Sequence, residues 1–122
     1  MPQRIGPKEF DQELTQTPGP VLLACLSAGP ADGEQLQGLA RLERALGDKV
    51  KVYLLDEQYL EFFRARYSVE GMPTFLLFQH GREKDRLLGR QSASVLESFV
   101  LGVTDSKRAD DRMRAARRRG HR

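Results

Sequence analysis

The sequence has no tryptophan and a single cysteine, Cys25. One thiol cannot close an internal disulfide, which excludes a disulfide-stapled scaffold and agrees with a reducing compartment. No stretch approaches the ~20 apolar residues that a membrane-spanning helix needs. The apolar run Val21 to Leu26 starts well inside the chain, without a cationic flank or a small-residue cleavage site, so it does not read as a signal peptide. The expectation is a protein without membrane contact, with the cytoplasm as the default compartment. The two histidines, His80 and His121, have no cysteine or acidic cluster at ligand spacing, and no metal site or cofactor is expected. Gly29 to Gly33 lacks the pattern and the Lys or Ser partner of a phosphate-binding loop.

Charge, by contrast, is plentiful and unevenly placed. The net charge is +3, yet Lys107 to Arg122 holds eight Lys/Arg against two Asp, which leaves the preceding residues at −3. Apart from Met113 this terminal segment has no large apolar side chain, so it cannot bury enough surface to offset the entropy of ordering. Residues 1–103 therefore read as one domain, of a length that supports a single core, and 104–122 as a basic, flexible tail. Met1 to Pro7 reads as a lead-in.

Periodicity supplies the elements. Phe10 and Leu14 lie four apart in a short amphipathic helix that Pro18, Gly19 and Pro20 end. Val21 to Leu26 is a continuous apolar run, as in a strand buried on both faces. After a turn from Ser27 to Gly33, Leu36, Leu39, Ala40 and Leu46 share a helical stripe closed by Gly47. Val50 to Leu55 is a second buried strand, and Leu60, Phe63 and Tyr67 follow at helical spacing. Phe75 to Phe78 gives another strand, Gln79 to Arg82 a hairpin turn, and the charged residues up to Leu88 an edge strand guarded against pairing with other chains. A closing helix carries Val95, Leu96, Phe99 and Val100 on one side, with Ser94 and Glu97 spaced as a capping box.

Helix, strand, helix, strand, helix, then an antiparallel hairpin and a last helix is an order that resembles thioredoxin. The likeness runs from about Pro20 to Leu101. Its landmarks are Val21-Leu22-Leu23, Gly71-Met72-Pro73-Thr74, and Phe78-Gln79-His80-Gly81 with Gly89 beyond. The resemblance implies an α/β, thioredoxin-like fold: a central mixed sheet flanked by helices, with a cis proline, Pro73, before the antiparallel hairpin.

The departures from that family decide the chemistry. Thioredoxins carry a Cys-Gly-Pro-Cys turn after the first core strand, at a helix start that favours a thiolate. Keeping strand register puts Pro30 and Gly33 at the cysteine positions; sliding to match the Gly-Pro pair puts Ala28 and Ala31 there. Neither alignment yields a sulfur, and Gly29 stands where a tryptophan usually precedes the first cysteine. The resemblance also implies a buried Asp and a buried Lys that assist proton transfer, and the matching residues here are Ala24 and Leu54. Apolar replacements suit a chain with no redox task, because buried charges are costly unless paired. Cys25, flanked by Ala24 and Leu26 and lacking cationic neighbours in sequence, reads as an inert core thiol.

Three surfaces remain as candidates. The resemblance implies a peptide-binding groove formed by Gly29, Pro30, Ala31, Asp32, Met72 and Pro73; alternatively Pro73 only preserves the fold. Tyr59 and Phe62, offset from the core stripe, either lean into the core edge or form a partner or dimer patch. Arg112, Arg114, Arg117, Arg118 and Arg119 could pair with phosphates of nucleic acid or with an acidic protein, although no aromatic in the tail would stack on bases. The expected function is therefore a redox-inactive, protein- or peptide-binding, chaperone-like module with an unidentified client, and no catalytic residue. The alternatives are an atypical thiol-disulfide oxidoreductase in cell redox homeostasis, using Cys25 as a monothiol, or a polyanion binder through the tail.

Overall fold

The structure is a computed structural model of the chain, and it describes residues 2–26 and 32–104. Among these lie five strands and four α-helices in the order β1 (Gln3–Ile5), α1 (Pro7–Gln16), β2 (Val21–Cys25), α2 (Gly33–Leu46), β3 (Lys51–Leu55), α3 (Leu60–Tyr67), β4 (Thr74–Gln79), β5 (Arg82–Leu88) and α4 (Ala93–Thr104). The strands form one sheet in the order β1-β3-β2-β4-β5. β1, β3 and β2 run parallel, while β4 is antiparallel to both β2 and β5. This is the mixed, helix-flanked sheet that the resemblance implies.

Every residue of the central strand β2 is buried, because helices cover both faces of the sheet. Alternation sends Leu22 and Ala24 to one side, where they meet Leu39, Leu42 and Leu46 of α2 and Leu96 and Val100 of α4. Val21, Leu23 and Cys25 point the other way, toward Phe10 of α1 and Phe63 of α3. The ring of Phe10 meets those of Phe63, Tyr67 and Phe78 edge to face, with centroids 5.2 to 6.2 Å apart.

The hairpin turns on His80 and Gly81, both at positive φ (55° and 78°), the geometry of a tight two-residue connection. β5 is the edge strand expected from its charges, and a bulge opposite Leu77 and Phe78 leaves Lys84 unmatched in the ladder. That extra residue turns Glu83 and Arg86 to the same face, where they form a 2.7 Å ion pair.

Several details correct the sequence reading. The N-terminal lead-in contains a strand: β1 pairs with the outer edge of β3, and the Asp56 N–H donates to the Ile5 carbonyl at 3.0 Å. Three residues with one buried side chain carry no periodic signal; the strand exists because β3 offers backbone partners. The stripe of α2 is Gln35, Leu39, Leu42 and Leu46, with Leu36 and Ala40 at its margin. In α4, Val95 faces solvent. Its cap is Ser92, whose hydroxyl accepts from the Val95 N–H at 3.2 Å, so Ser94 lies inside the helix and builds no capping box with Glu97.

Candidate functional site

The C-terminal end of β2 and the segment before β4 lie side by side. Cys25 is the ladder partner of Thr74, and Ala24 of Phe75, which sets the end of β2 next to the start of β4. The Met72–Pro73 peptide bond is cis. Two local bonds hold this segment: the Thr74 hydroxyl donates to the Gly71 carbonyl at 2.7 Å, and the Gly89 N–H donates to the Pro73 carbonyl at 2.8 Å. Gly89, at φ 84°, is a backbone position suited to glycine at the end of β5.

Beside it opens a surface cavity of about 480 Å³ lined by Glu70, Gly71, Met72, Leu88 and Gly89, with Ser68 and Arg86 at one end. Leu88 is 67% exposed, the most exposed large hydrophobic side chain among the described residues. It was not among the sequence-derived site residues. The signal available was the pair Leu87-Leu88 closing an otherwise charged strand, and only the fold turns Leu88 toward Met72.

Side chains brace both flanks. Arg86 donates from Nη2 to the Tyr67 carbonyl at 2.8 Å and from Nη1 to the Ser68 carbonyl at 3.2 Å, while Glu83 receives a second pair of 2.7 Å bonds from it. The guanidinium thereby ties β5 to the chain leaving α3. On the opposite flank, the buried Gln35 side chain donates to the Gln91 carbonyl at 2.7 Å and accepts from the Gln91 N–H at 2.9 Å, joining the first turn of α2 to the segment before α4. Asp32, at the start of α2, is buried as well.

Of the expected groove residues the structure describes Asp32, Met72 and Pro73, and of these Met72 lines the cavity. Gly29, Pro30 and Ala31 lie outside the described residues, as do Arg112, Arg114, Arg117, Arg118 and Arg119 of the tail.

Cys25 has no exposed surface and lies on the aromatic side of the sheet. Burial pushes its thiol up to about 12, against a weaker opposing pull from Arg86, so the nucleophilic thiolate is scarce near neutral pH. Ala24 and Leu54 are direct ladder partners on the aliphatic side and both are buried, so hydrocarbon faces hydrocarbon at the matched positions. Among the described residues no group of three or more His, Cys, Asp or Glu could hold a metal ion, and no helix is long and apolar enough to cross a membrane.

Tyr59 and Phe62 point outward, at 41% and 47% exposure, rather than into the core edge. The guanidinium of Arg66 lies 5.8 Å from the centre of the Phe62 ring and is held there by Asp11 at 2.9 and 3.1 Å.

A family model described as Thioredoxin matches residues 2–101. The chain is 30% identical over 89 residues to thioredoxin Y, chloroplastic, of Oryza sativa subsp. japonica, a match covering 71% of this chain and 52% of that protein. It is 29% identical over 102 residues to thioredoxin Y1, chloroplastic, of Arabidopsis thaliana, covering 78% and 59%. The chain thus spans a little over half the length of these curated relatives, which are chloroplastic, whereas the sequence alone pointed to the cytoplasm by default. Among solved structures, one from work on the thiol-resolving mechanism of yeast mitochondrial 1-Cys peroxiredoxin via glutathione/thioredoxin systems superposes with a TM-score of 0.68 at 22% identity, covering 81% of this chain and 92% of that one. At that identity the likeness shows the fold.

Proposed function

Because the chain belongs to the thioredoxin family, we propose that it holds an extended segment of a client protein in the groove beside Met72-Pro73 without exchanging disulfides. One observation carries this reading: the chain's single sulfhydryl is fully buried and hard to ionise, while an open, partly apolar groove lies beside Met72. A thioredoxin needs two accessible sulfurs at the turn to cycle between dithiol and disulfide; this chain has one cysteine, and it lies in a strand. What the groove offers instead is the thioether of Met72, the exposed Leu88 side chain and charged ends at Glu70 and Arg86, a lining that fits a short apolar segment with polar flanks.

The whole protein's client and compartment belong to the same proposal. So does a chaperone-like role, in which the groove shields apolar segments of incompletely folded proteins.

The test uses the full chain in two assays. Suppression of aggregation of a reduced, unfolded client is expected, and Leu88→Asp is expected to abolish it while leaving the circular dichroism unchanged. Reduction of a protein disulfide in the presence of dithiothreitol is expected to run no faster than dithiothreitol alone. Catalysed reduction that disappears in Cys25→Ser would replace this reading with a monothiol oxidoreductase. Aggregation suppression indifferent to Leu88→Asp would remove the groove from the function.

A further inference from the structure

The groove beside Met72 is lined by two charged side chains, and they are not equivalent. Arg86 has its charge met within the chain: Nε and Nη2 donate to the two carboxylate oxygens of Glu83 at 2.7 Å each, and its other bonds go to the Tyr67 and Ser68 carbonyls. Glu70 is exposed, and no ion pair among the described residues includes it. Arg64 of α3 is turned elsewhere, to Glu61 at 3.8 Å and, through Nε, to the Val69 carbonyl at 3.4 Å. Arg90, which follows Gly89, lines a separate cavity with Gln35 and Gln91.

The backbone around Glu70 is fixed, although its carboxylate is unspent. The Val69 N–H donates to the Arg64 carbonyl at 3.0 Å, and the Gly71 carbonyl accepts from the Thr74 hydroxyl at 2.7 Å, so the residues on either side are tied down. The same cavity of about 480 Å³ is lined by the half-buried Met72 and by Leu88, 67% exposed. Two apolar side chains beside one uncompensated negative charge are complementary to an apolar side chain with a cation next to it. An acidic flank would instead be repelled by Glu70 and would find the charge of Arg86 already neutralised by Glu83.

We propose, on the reading that this groove holds a client, that it selects segments in which lysine or arginine stands beside an apolar residue. Glu70 pairs with the cation, while Met72 and Leu88 receive the apolar side chain.

Fluorescence anisotropy of the full chain tests it with labelled peptides that share one leucine-containing apolar core and carry lysine, glutamine or glutamate flanks. At low salt the lysine-flanked peptide is expected to bind about tenfold more tightly than the glutamate-flanked one, with the glutamine peptide between them. In Glu70→Gln that ratio is expected to fall to about twofold or less, and in Glu70→Lys to invert. The basic segment Lys107 to Arg122 is common to all these proteins, so the change in the ratio reads Glu70 alone. Leu88→Ser is expected to weaken all the peptides together. Equal affinities that Leu88→Ser lowers in common overturn the preference and leave the groove standing. A ratio that survives Glu70→Gln overturns the assignment of Glu70. Failure of every peptide to bind overturns the groove reading itself, and the preference with it.

Discussion

The two faces of the sheet bury the same strands with different chemistry. Under α2 and α4 the core is almost entirely aliphatic, with Leu22, Leu39, Leu42, Leu46, Leu54, Leu96 and Val100 packed around Ala24. Under α1 and α3 it is aromatic, with Phe10, Phe63, Phe78 and the partly buried Tyr67 packed around Cys25. The aliphatic face is the one on which the thioredoxin resemblance calls for a buried Asp and Lys, and the Ala24–Leu54 pair leaves it free of that charge. The aromatic face keeps the sulfur and encloses it so fully that it cannot ionise readily. One face thus carries no charge at the matched positions, and the other holds its thiol buried.

The largest effect expected from disturbing this contrast is at Phe10. Phe10→Ala removes a fully buried ring and three edge-to-face contacts, and a loss of about 4 kcal/mol in urea unfolding is expected, against about 3 kcal/mol for Leu39→Ala on the aliphatic face. Equal losses would show that ring geometry adds nothing to the aromatic side.

Returning a charge to the aliphatic face comes next. Ala24→Asp places a carboxyl among buried hydrocarbon, which raises its folded-state pKa above the ordinary value of about 4. Such a group is tolerated while protonated in both states and destabilises as pH rises. The variant is expected to approach wild-type stability near the acid end of its range and to lose about 3 kcal/mol by neutral pH. Ala24→Asp with Leu54→Lys is expected to recover part of that loss, because the two positions are ladder partners. A pH-independent penalty would mean that the carboxyl reaches water.

The smallest effect concerns Cys25. Its folded pKa of about 12 exceeds its ordinary value of 9.0, so the unfolded chain releases the proton first and stability falls as pH rises above 9. A decline of about 1 kcal/mol between pH 9 and 10 is expected in wild type and much less in Cys25→Ala. Tyr53, also pushed up to about 12, but from 10.0, adds its own decline at higher pH in both proteins. Identical slopes in the two proteins would place the thiol in contact with solvent.

Much of this architecture was legible because it rests on local rules. Val21 to Cys25 is apolar at every position because both faces are covered, and His80-Gly81 turns the hairpin because both residues adopt positive φ. Of the residues that line the cavity, only Met72 was singled out from the sequence. Leu88 was missed because exposure at the end of a charged strand depends on what lies across the sheet. Gln35 was missed because a glutamine in a helical stripe carries no sign that a backbone segment 56 residues away will satisfy both ends of its amide. The misplaced α4 cap has a similar origin, since Ser92 and Ser94 are equivalent locally and the point where the chain enters the helix selects between them.

By itself the sequence determined which side chains seek burial, where the chain must turn, and that no second sulfur exists for a dithiol. Those are properties of composition and of spacings a few residues long. The tertiary structure alone decided that β1 joins the sheet, that a bulge aligns Glu83 with Arg86, that Leu88 borders the Met72-Pro73 groove, and that Tyr59 and Phe62 face outward. Each of these depends on pairing between segments distant in sequence, whose register is set by backbone hydrogen bonds that every residue type offers alike.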